Sequence, residues 1–222
     1  FFIARLPRTI AGALVGSALA AAGVVLQALL RNPLATPFTL GVSAGASLGV
    51  MLVIVLGVPP LIAGIPAVPV ASFAGAFGAI GIVYALARLR RVGLSTSVLL
   101  LAGVTLNSLF SAIIIFVQYL ADYTQSFQAV RYLMGNLDVS SYTPIAWALP
   151  FLIVAATAFA WLPRSLNLLT LGDDSAAARG VDVLRAQRVA FLSASLATGA
   201  AISLGGPIGF VGIIIPHVVR ML

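Results

Sequence analysis

The sequence predicts an all-α protein, a polytopic bundle of transmembrane helices, and three observations carry this prediction. Of the 222 residues, 61% are hydrophobic and only 8% are charged, far from the balance of a soluble globular protein. The apolar residues form runs of roughly 20, the length with which a helix crosses the hydrocarbon core of a bilayer. Arginines stand at the ends of these runs. Because unpaired backbone groups are too costly in lipid, the spanning segments must be helical.

Six runs are long enough to span a bilayer, and we predict helices over residues 7–30, 38–57, 67–87, 95–120, 142–162 and 188–204. A shorter apolar piece, 207–219, contains Pro216, and we expect it to be broken there. The chain starts at Phe1 rather than at a methionine and stops inside an apolar, basic run. We therefore expect residues 1–222 to be one transmembrane domain of a longer protein, truncated at both ends.

The first two predicted spans are joined by a polar corner. Asn32 and Pro33 end the first helix, because proline lacks a donor and disfavours helical geometry in the residue before it. Beyond a second proline, Gly41, Gly45 and Gly49 recur at every fourth position. Small residues at this spacing let helices approach closely in lipid. The pattern predicts a tight turn followed by a helix with a glycine face.

The arginines predict the orientation. Connections after the first, third and fifth spans carry eight of them: Arg31, Arg88, Arg90, Arg91, Arg164, Arg179, Arg185 and Arg188. The opposite side carries four: Arg5, Arg8, Arg131 and Arg220. The positive-inside rule places the larger group in the cytoplasm.

The longest outer connection, residues 121–141, predicts one short amphipathic helix. Its apolar positions include Phe127 and Val130, the helical pattern continues to Met134, and Gly135 is suited to end it in a left-handed conformation. A short helix at the mouth of a bundle is suited to act as a gate or as an interfacial filler.

The longest inner connection, residues 163–187, predicts a rigid protrusion of two short helices. Asp173 or Asp174 can cap the first helix, and the alanines after them favour it. Gly180 can stop that helix, and Asp182 can cap the second. A loop that only joined two spans could be far shorter.

Several functional classes are excluded by composition. The chain has no lysine, so it cannot form a Walker A phosphate loop, and any ATP must be handled by another subunit. It has no cysteine, and the lone His217 cannot build a metal site. The pattern Gly41-Val-Ser43-Ala-Gly45 matches a nucleophile elbow, but it lies on a predicted helix rather than on a strand-turn-helix. A basic face interleaved with aromatic residues, typical of nucleic-acid binding, is missing.

The interiors of the predicted spans carry no Asp, Arg or His, and their strong amide polarity comes from Gln27, Asn107 and Gln118. Proton- or sodium-coupled transporters usually need ionisable groups or broken coordinating helices inside the membrane. The pattern therefore favours a solute pathway powered from outside the chain. An ion-coupled secondary transporter is the alternative, and a membrane scaffold or enzyme is a third class.

Four stretches, taken together, resemble one family. Arg5-Leu-Pro-Arg8 precedes a Gly/Ala-rich span that leads to Gln27 and Arg31-Asn-Pro-Leu-Ala35. Leu40-Gly-Val-Ser-Ala-Gly-Ala46 follows, and Leu171-Gly-Asp-Asp174 lies in the inner loop. The last stretch is Gly206-Pro-Ile-Gly-Phe-Val-Gly212 with Ile215-Pro-His-Val-Val-Arg220. Their order resembles the permeases of ABC importers for iron-siderophores, haem and cobalamin, the FecCD or BtuC-like family.

The resemblance implies a ten-helix permease that works as a homodimer, with the translocation path between the subunits. Two cytoplasmic ATPase subunits, which would bind ATP and Mg, and a periplasmic substrate-binding protein complete such an importer in the inner membrane. The chain itself would bind no cofactor and would not be an enzyme. It would begin just before the family's second helix and end after the seventh. Iron-siderophore is the first choice of cargo, with haem and cobalamin open.

The resemblance also assigns candidate site residues. Arg5, Arg8 and Arg131 would dock the binding protein, although snorkelling at the interface is the alternative for the first two. ATPase coupling would fall to Leu171, Gly172, Asp173, Asp174, Ala178, Arg179, Gly180 and Val181 in the 163–187 loop. The translocation path and its packing would use Gln27, Asn32, Pro33, Gly41, Ser43, Gly45 and Asn107. The chain departs from the family at Tyr132, where Trp is common, at Asn136, where Ser is common, and at Arg179, where Leu is common.

Overall fold

The computed structural model describes residues 5–59, 61–62, 65–89, 96–139 and 141–221. The described part is all-α, as predicted, with helices α1 Arg5–Leu30, α2 Val42–Val55, α3 Ala67–Leu89, α4 Thr96–Tyr119, α5 Tyr123–Leu133, α6 Thr143–Trp161, α7 Pro163–Leu169, α8 Asp173–Ala178, α9 Val183–Gly205 and α10 Val211–Met221. Between α2 and α3, strands β1 Leu61–Ile62 and β2 Ile65–Pro66 form a minimal antiparallel pair. Arg90 and Arg91 lie outside the described residues, as does the side chain of Arg88.

Five of the six predicted spans are confirmed as helices long and apolar enough to cross a membrane, namely α1, α3, α4, α6 and α9. The prediction of a full span over 38–57 is wrong, because α2 has only 14 residues and is about 21 Å long. The preceding residues form turns in which the Thr36 amide donates to Thr39 Oγ1 at 2.9 Å. The helix begins only after Gly41, whose φ of 73° is left-handed.

The core lies along α1 and α9. The buried side of α1 carries Ala11, Val15, Leu19, Ala22 and Leu26, which recur every three or four residues and so form one stripe. The helices α9, α6 and α10 pack around α1. The helix α9 is the most enclosed, whereas α4 and α6 keep most of their apolar surface outward.

The glycine face of α2 is confirmed as a packing surface. A Cβ atom on Gly45 would lie 2.5 Å from the carbonyl oxygen of Gly75 on α3, and one on Gly49 would collide with the carbonyl of Ala71. Close approach of two backbones is therefore possible only with glycine at these positions. The spacing predicted that Gly41 also belongs to this face, and that prediction is wrong, because Gly41 is the N-cap of α2.

Each connecting segment forms a predicted short helix, with corrections at its ends. The outer one is α5, which starts earlier than predicted because Asp122 and Gln125 form a capping box. Gly135 follows it with φ 75°. In the inner loop the N-cap of α8 is Gly172, and Asp173 lies in the first turn.

The second short helix predicted in the inner loop is absent from the described residues there. Asp182 instead caps the long α9, because its side chain accepts a hydrogen bond from the Arg185 amide. That helix therefore begins at Val183 rather than at Arg188. The compact part of the loop consists of α7 and α8.

The last helix corrects two predictions. Pro216 does not break α10, although it cannot donate to the carbonyl of Gly212 four residues earlier. Gln27 Nε2 of α1 donates to that freed carbonyl at 2.9 Å. Arg220 Nη2 donates to Gln27 Oε1 at 2.6 Å, so Arg220 lies near Arg31 and not on the side predicted, with Arg5, Arg8 and Arg131. We call the end of the bundle that holds Arg31 and Arg220 the corner end. The end that holds Arg5, Arg8 and Arg131 is the α5 end.

Candidate functional site

The predicted docking arginines lie at the α5 end, where the structure brings two of the three together. Arg8 of α1 forms an ion pair with Asp138, and Arg131 Nη2 of α5 lies 3.9 Å from the other carboxylate oxygen. Arg5 is exposed, and the described residues give it no ion-pair partner. All of these side chains are open to solvent, which a docking surface requires. Asp138 is the centre of this cluster, and its position in the sequence did not predict that role.

The short helix α5 is held against the end of α9. The Tyr132 hydroxyl donates to the Ile202 carbonyl at 3.1 Å, and the Asn136 amide donates to the Gly205 carbonyl at 2.8 Å. Burial raises the pKa of the Tyr132 hydroxyl far above its usual range, so the group stays a neutral donor. The left-handed Gly206 contacts the Tyr132 carbonyl closely. Tyr132, at the position where Trp is common in the family, thus anchors α5 to α9.

The predicted coupling residues form a stiff, exposed knob at the corner end. Ala176 is fully buried and fixes α8 to the bundle, while Leu171, Asp174, Ala178 and Arg179 are exposed. The helix ends in a Schellman motif, with the Val181 amide donating to the Ala176 carbonyl at 3.1 Å and the Gly180 amide to the Ala177 carbonyl at 2.9 Å. Gly180 has φ 82°, which this motif requires. The knob therefore presents polar side chains on a fixed backbone.

Arg31 joins this knob to the corner. Its Nε donates to the Leu169 carbonyl at the end of α7 at 2.7 Å, and its Nη2 pairs with Asp173 in the first turn of α8. Gln187 Nε2 of α9 reaches the other Asp173 oxygen at 3.4 Å. The Arg31 guanidinium thus ties the end of α1 to α7 and α8, and Asp173 in turn ties α8 to α9. We call this cluster the Arg31 junction; the sequence showed Arg31 and Asp173 on one side but not their contact.

Asn32 and Pro33, predicted to line or pack the path, shape the corner itself. The Asn32 side chain accepts a hydrogen bond from the Leu34 amide at 2.9 Å, which closes the turn. The Gln27 side chain is buried and donates a hydrogen bond to Gly212 of α10, so it is a packing residue. Gly45 likewise belongs to the α2–α3 contact.

Ser43 and Asn107 are the predicted path residues that the structure brings together. They line a cavity of about 250 Å³ between α2, α4 and α5, together with Phe38, Ala44, Ser47, Ser111, Ile114, Leu133 and Pro207. The hydroxyls of Ser43 and Ser47 are buried and have no hydrogen-bond partner among the described residues. Such groups seek water or a polar solute. The cavity reaches Leu133 at the end of α5, and so connects the second helix with the helix predicted to be the gate.

Comparisons with known proteins agree with this arrangement. The chain is 39% identical over 219 residues to the uncharacterized ABC transporter permease protein YvrB of Bacillus subtilis. It is 40% identical to the cobalamin import system permease protein BtuC of Halobacterium salinarum, and 37% identical to the hemin transport system permease protein HmuU of Yersinia pestis. Each match covers 98% of this chain but only 62%, 58% and 65% of those proteins, respectively.

A solved structure of an ABC transporter assigned to the metal-chelate type, in an inward-facing conformation, superposes on the chain with a TM-score of 0.87. The two are 33% identical, and the match covers 98% of this chain and 68% of the other. The profile of the FecCD transport family matches residues 1–222. The resemblance drawn from the four sequence stretches is therefore confirmed, and the chain belongs to the FecCD transport family.

Proposed function

We propose that the chain is part of the permease subunit of an ATP-driven importer in the inner membrane. The observation that carries this proposal is the exposed knob of residues 171–181, which the Arg31 junction fastens to the corner of the bundle. A rigid element is needed to carry a conformational bias between distant sites. An ATPase subunit bound to the knob would supply that bias, because the chain has no lysine for a phosphate loop of its own.

The proposed route of coupling runs along α2. Movement of α8 reaches the corner through Arg31, and the corner leads directly into α2. The glycine contacts between α2 and α3 allow small changes of crossing angle, since no side chains interlock there. At its other end, Met51 of α2 packs with Ala129 of α5. Binding of ATP would thus open or close the outer gate formed by α5.

The proposed cargo is a metal chelate, with iron-siderophore as the first choice and haem or cobalamin open. The named relatives include a cobalamin importer and a hemin transporter, which supports this class. The cavity lined by Ser43 and Asn107 offers hydroxyl and amide groups among apolar walls. Such a lining permits passage without binding a charged solute tightly.

The proposed assembly is a homodimer of permeases with two cytoplasmic ATPase subunits and a periplasmic binding protein. Arg5, Arg8 and Arg131 would meet acidic residues of the binding protein, since the three lie exposed at the α5 end. Complementary charges across such a surface set orientation and speed association.

The test is uptake into proteoliposomes that contain the full-length permease and its ATPase, with the loaded binding protein added at the outer face. Uptake of a radiolabelled ferric chelate is expected to require ATP and to persist when ionophores collapse the ion gradients. Uptake that follows an ion gradient and continues without the ATPase would overturn the proposal in favour of an ion-coupled secondary transporter. Replacing residues 173–181 by a scrambled sequence should abolish uptake, with Arg188→Gln as the control.

A further inference from the structure

A groove of about 540 Å³ lies at the corner end, between the end of α6, the helix α7, the residues that follow α8 and the first turns of α9. We call it the arginine groove, because Arg164 of α7, Arg179 after α8 and Arg185 of α9 all line it. Trp161, Val181 and the carboxylate of Asp182 also line it. The groove has three cationic side chains against one carboxylate, so it carries two excess positive charges.

The charges of the groove are available to a ligand. All three arginines are exposed, and none of them forms an ion pair with another described residue. The one carboxylate, Asp182, is already engaged as the N-cap of α9. Guanidinium groups suit phosphate, because their planar array of donors can bind two of its oxygens at once. An anion with several oxygens therefore fits the polar half of the groove.

The other half of the groove is apolar and adjoins the end of the spanning helix α6. Trp161 ends the spanning helix α6 and is 87% exposed. Val154, seven residues earlier, lies on the same face of α6 and is 57% exposed. The hydroxyl of Thr157, between them, is turned back onto the Val154 carbonyl at 2.9 Å. An exposed Trp at the end of such an apolar stripe is typical of the level where lipid headgroups lie.

We propose that the arginine groove binds the phosphate of an anionic phospholipid of the cytoplasmic leaflet, with the acyl chains lying along α6. The combination of a cationic pocket with an interfacial Trp and an apolar stripe favours an amphiphile over a small anion. This inference goes beyond the proposed function and requires only that the chain spans a bilayer with its corner end in the cytoplasm. A lipid bound there would contact the Arg179–Val181 end of α8, and so would brace the knob.

The first test measures lipid binding on the intact, full-length permease without its ATPase. Protein in phosphatidylcholine nanodiscs containing a minor fraction of phosphatidylglycerol is extracted gently, and retained lipid is counted by native mass spectrometry. We expect phosphatidylglycerol to be retained, and the variant with Arg164→Gln, Arg179→Gln and Arg185→Gln to lose about tenfold or more of that affinity. Arg188→Gln is the matched control, because Arg188 lies outside the groove and its Nε donates to the Leu184 carbonyl at 3.1 Å. Equal retention by the triple variant and the control would overturn the proposal.

The second test keeps all three arginines, so it does not depend on how the triple variant folds. The variant used here carries Trp147→Phe and any further changes needed to leave Trp161 as its only tryptophan. Brominated phosphatidylglycerol should quench the fluorescence of Trp161 more than brominated phosphatidylcholine at the same dilution does. Equal quenching by the two lipids would overturn the proposal.

Two alternative occupants give distinct results. If inorganic phosphate at millimolar concentration abolishes the preference for phosphatidylglycerol, the groove is a site for free phosphate and the lipid proposal is wrong. If the triple variant keeps its phosphatidylglycerol but no longer copurifies with the ATPase, the groove is an ATPase contact and the lipid proposal is again wrong.

Discussion

The hydrogen bond from Gln27 to the Gly212 carbonyl gives a stability prediction that can be worked out in advance. Pro216 leaves this carbonyl without its helical partner, and the Gln27 amide replaces that partner. Gln27→Leu keeps most of the side-chain volume but leaves a buried acceptor unsatisfied. Buried unsatisfied groups cost about 1–3 kcal/mol, and hydrogen bonds between membrane helices are worth about 0.6 kcal/mol on average. We therefore expect Gln27→Leu to destabilise the protein by about 1–2 kcal/mol.

The same reasoning predicts that the cost depends on Pro216. In Pro216→Ala the residue regains an amide hydrogen, which can donate to Gly212 within α10. Gln27→Leu should then cost about 1 kcal/mol less than it does with Pro216 present. Gln27→Glu gives a further check, because it removes the donor to Gly212 while keeping an acceptor for Arg220. It should lose the Gly212 bond but retain the contact with α10.

The assay is a double-mutant cycle on the full-length permease, unfolded by SDS in mixed micelles. The matched control is Gln187→Leu, which removes another buried amide, on α9, whose hydrogen bond goes to Asp173 rather than to α10. Its effect should be additive with Pro216→Ala. Additivity of Gln27→Leu and Pro216→Ala to within about 0.3 kcal/mol would refute the reasoning, since separate sites add to that accuracy.

Three further predictions concern the knob, the gate and docking. Arg31→Gln should lower the amount of cargo transported per ATP in proteoliposomes, whereas Arg188→Gln, which changes an exposed arginine whose Nε donates within α9, should not; equal coupling ratios would contradict this. Asp122→Ala should destabilise the first turn of α5 by about 1 kcal/mol. Amide exchange should then become faster in that turn than in the unsubstituted protein, while exchange in α7 stays unchanged. Arg5→Glu with Arg8→Glu should weaken capture of the binding protein at low salt, and an unchanged dissociation constant would exclude docking at these residues.

The sequence could predict those features that depend on local chemistry. The lengths of α1, α3, α4 and α6 follow from apolar runs, and the turns at Gly135 and Gly180 follow from residues that adopt positive φ readily. The glycine face of α2 also follows from spacing alone. These features need no knowledge of which elements become neighbours.

The features that the sequence could not predict depend on contacts between distant segments. Arg31 and Asp173 are 142 residues apart, and nothing in either segment specifies their pairing. The position of α10 along α1, and so the position of Arg220, depends on the close contact of Gly212 with Gly23. The late start of α2 depends partly on α4, since a Cβ on Gly103 would lie 2.5 Å from the Thr39 carbonyl oxygen. Hydrophobic patterning gives lengths, whereas these positions come from packing.

In the proposed mechanism, movement of the knob reaches the spanning helices at the corner between α1 and α2. Irregular backbone is tolerated at membrane depth only where its polar groups are satisfied within the protein. Here Thr36 and Thr39 satisfy each other's amides, with the Thr39 amide donating to Thr36 Oγ1 at 3.3 Å. These bonds lie within the turn, so the turn can tilt as a unit without exposing them. Since Arg31 ties the same segment to α8, tilting of the knob would be transmitted to α2 while the longer spans keep their helical bonds.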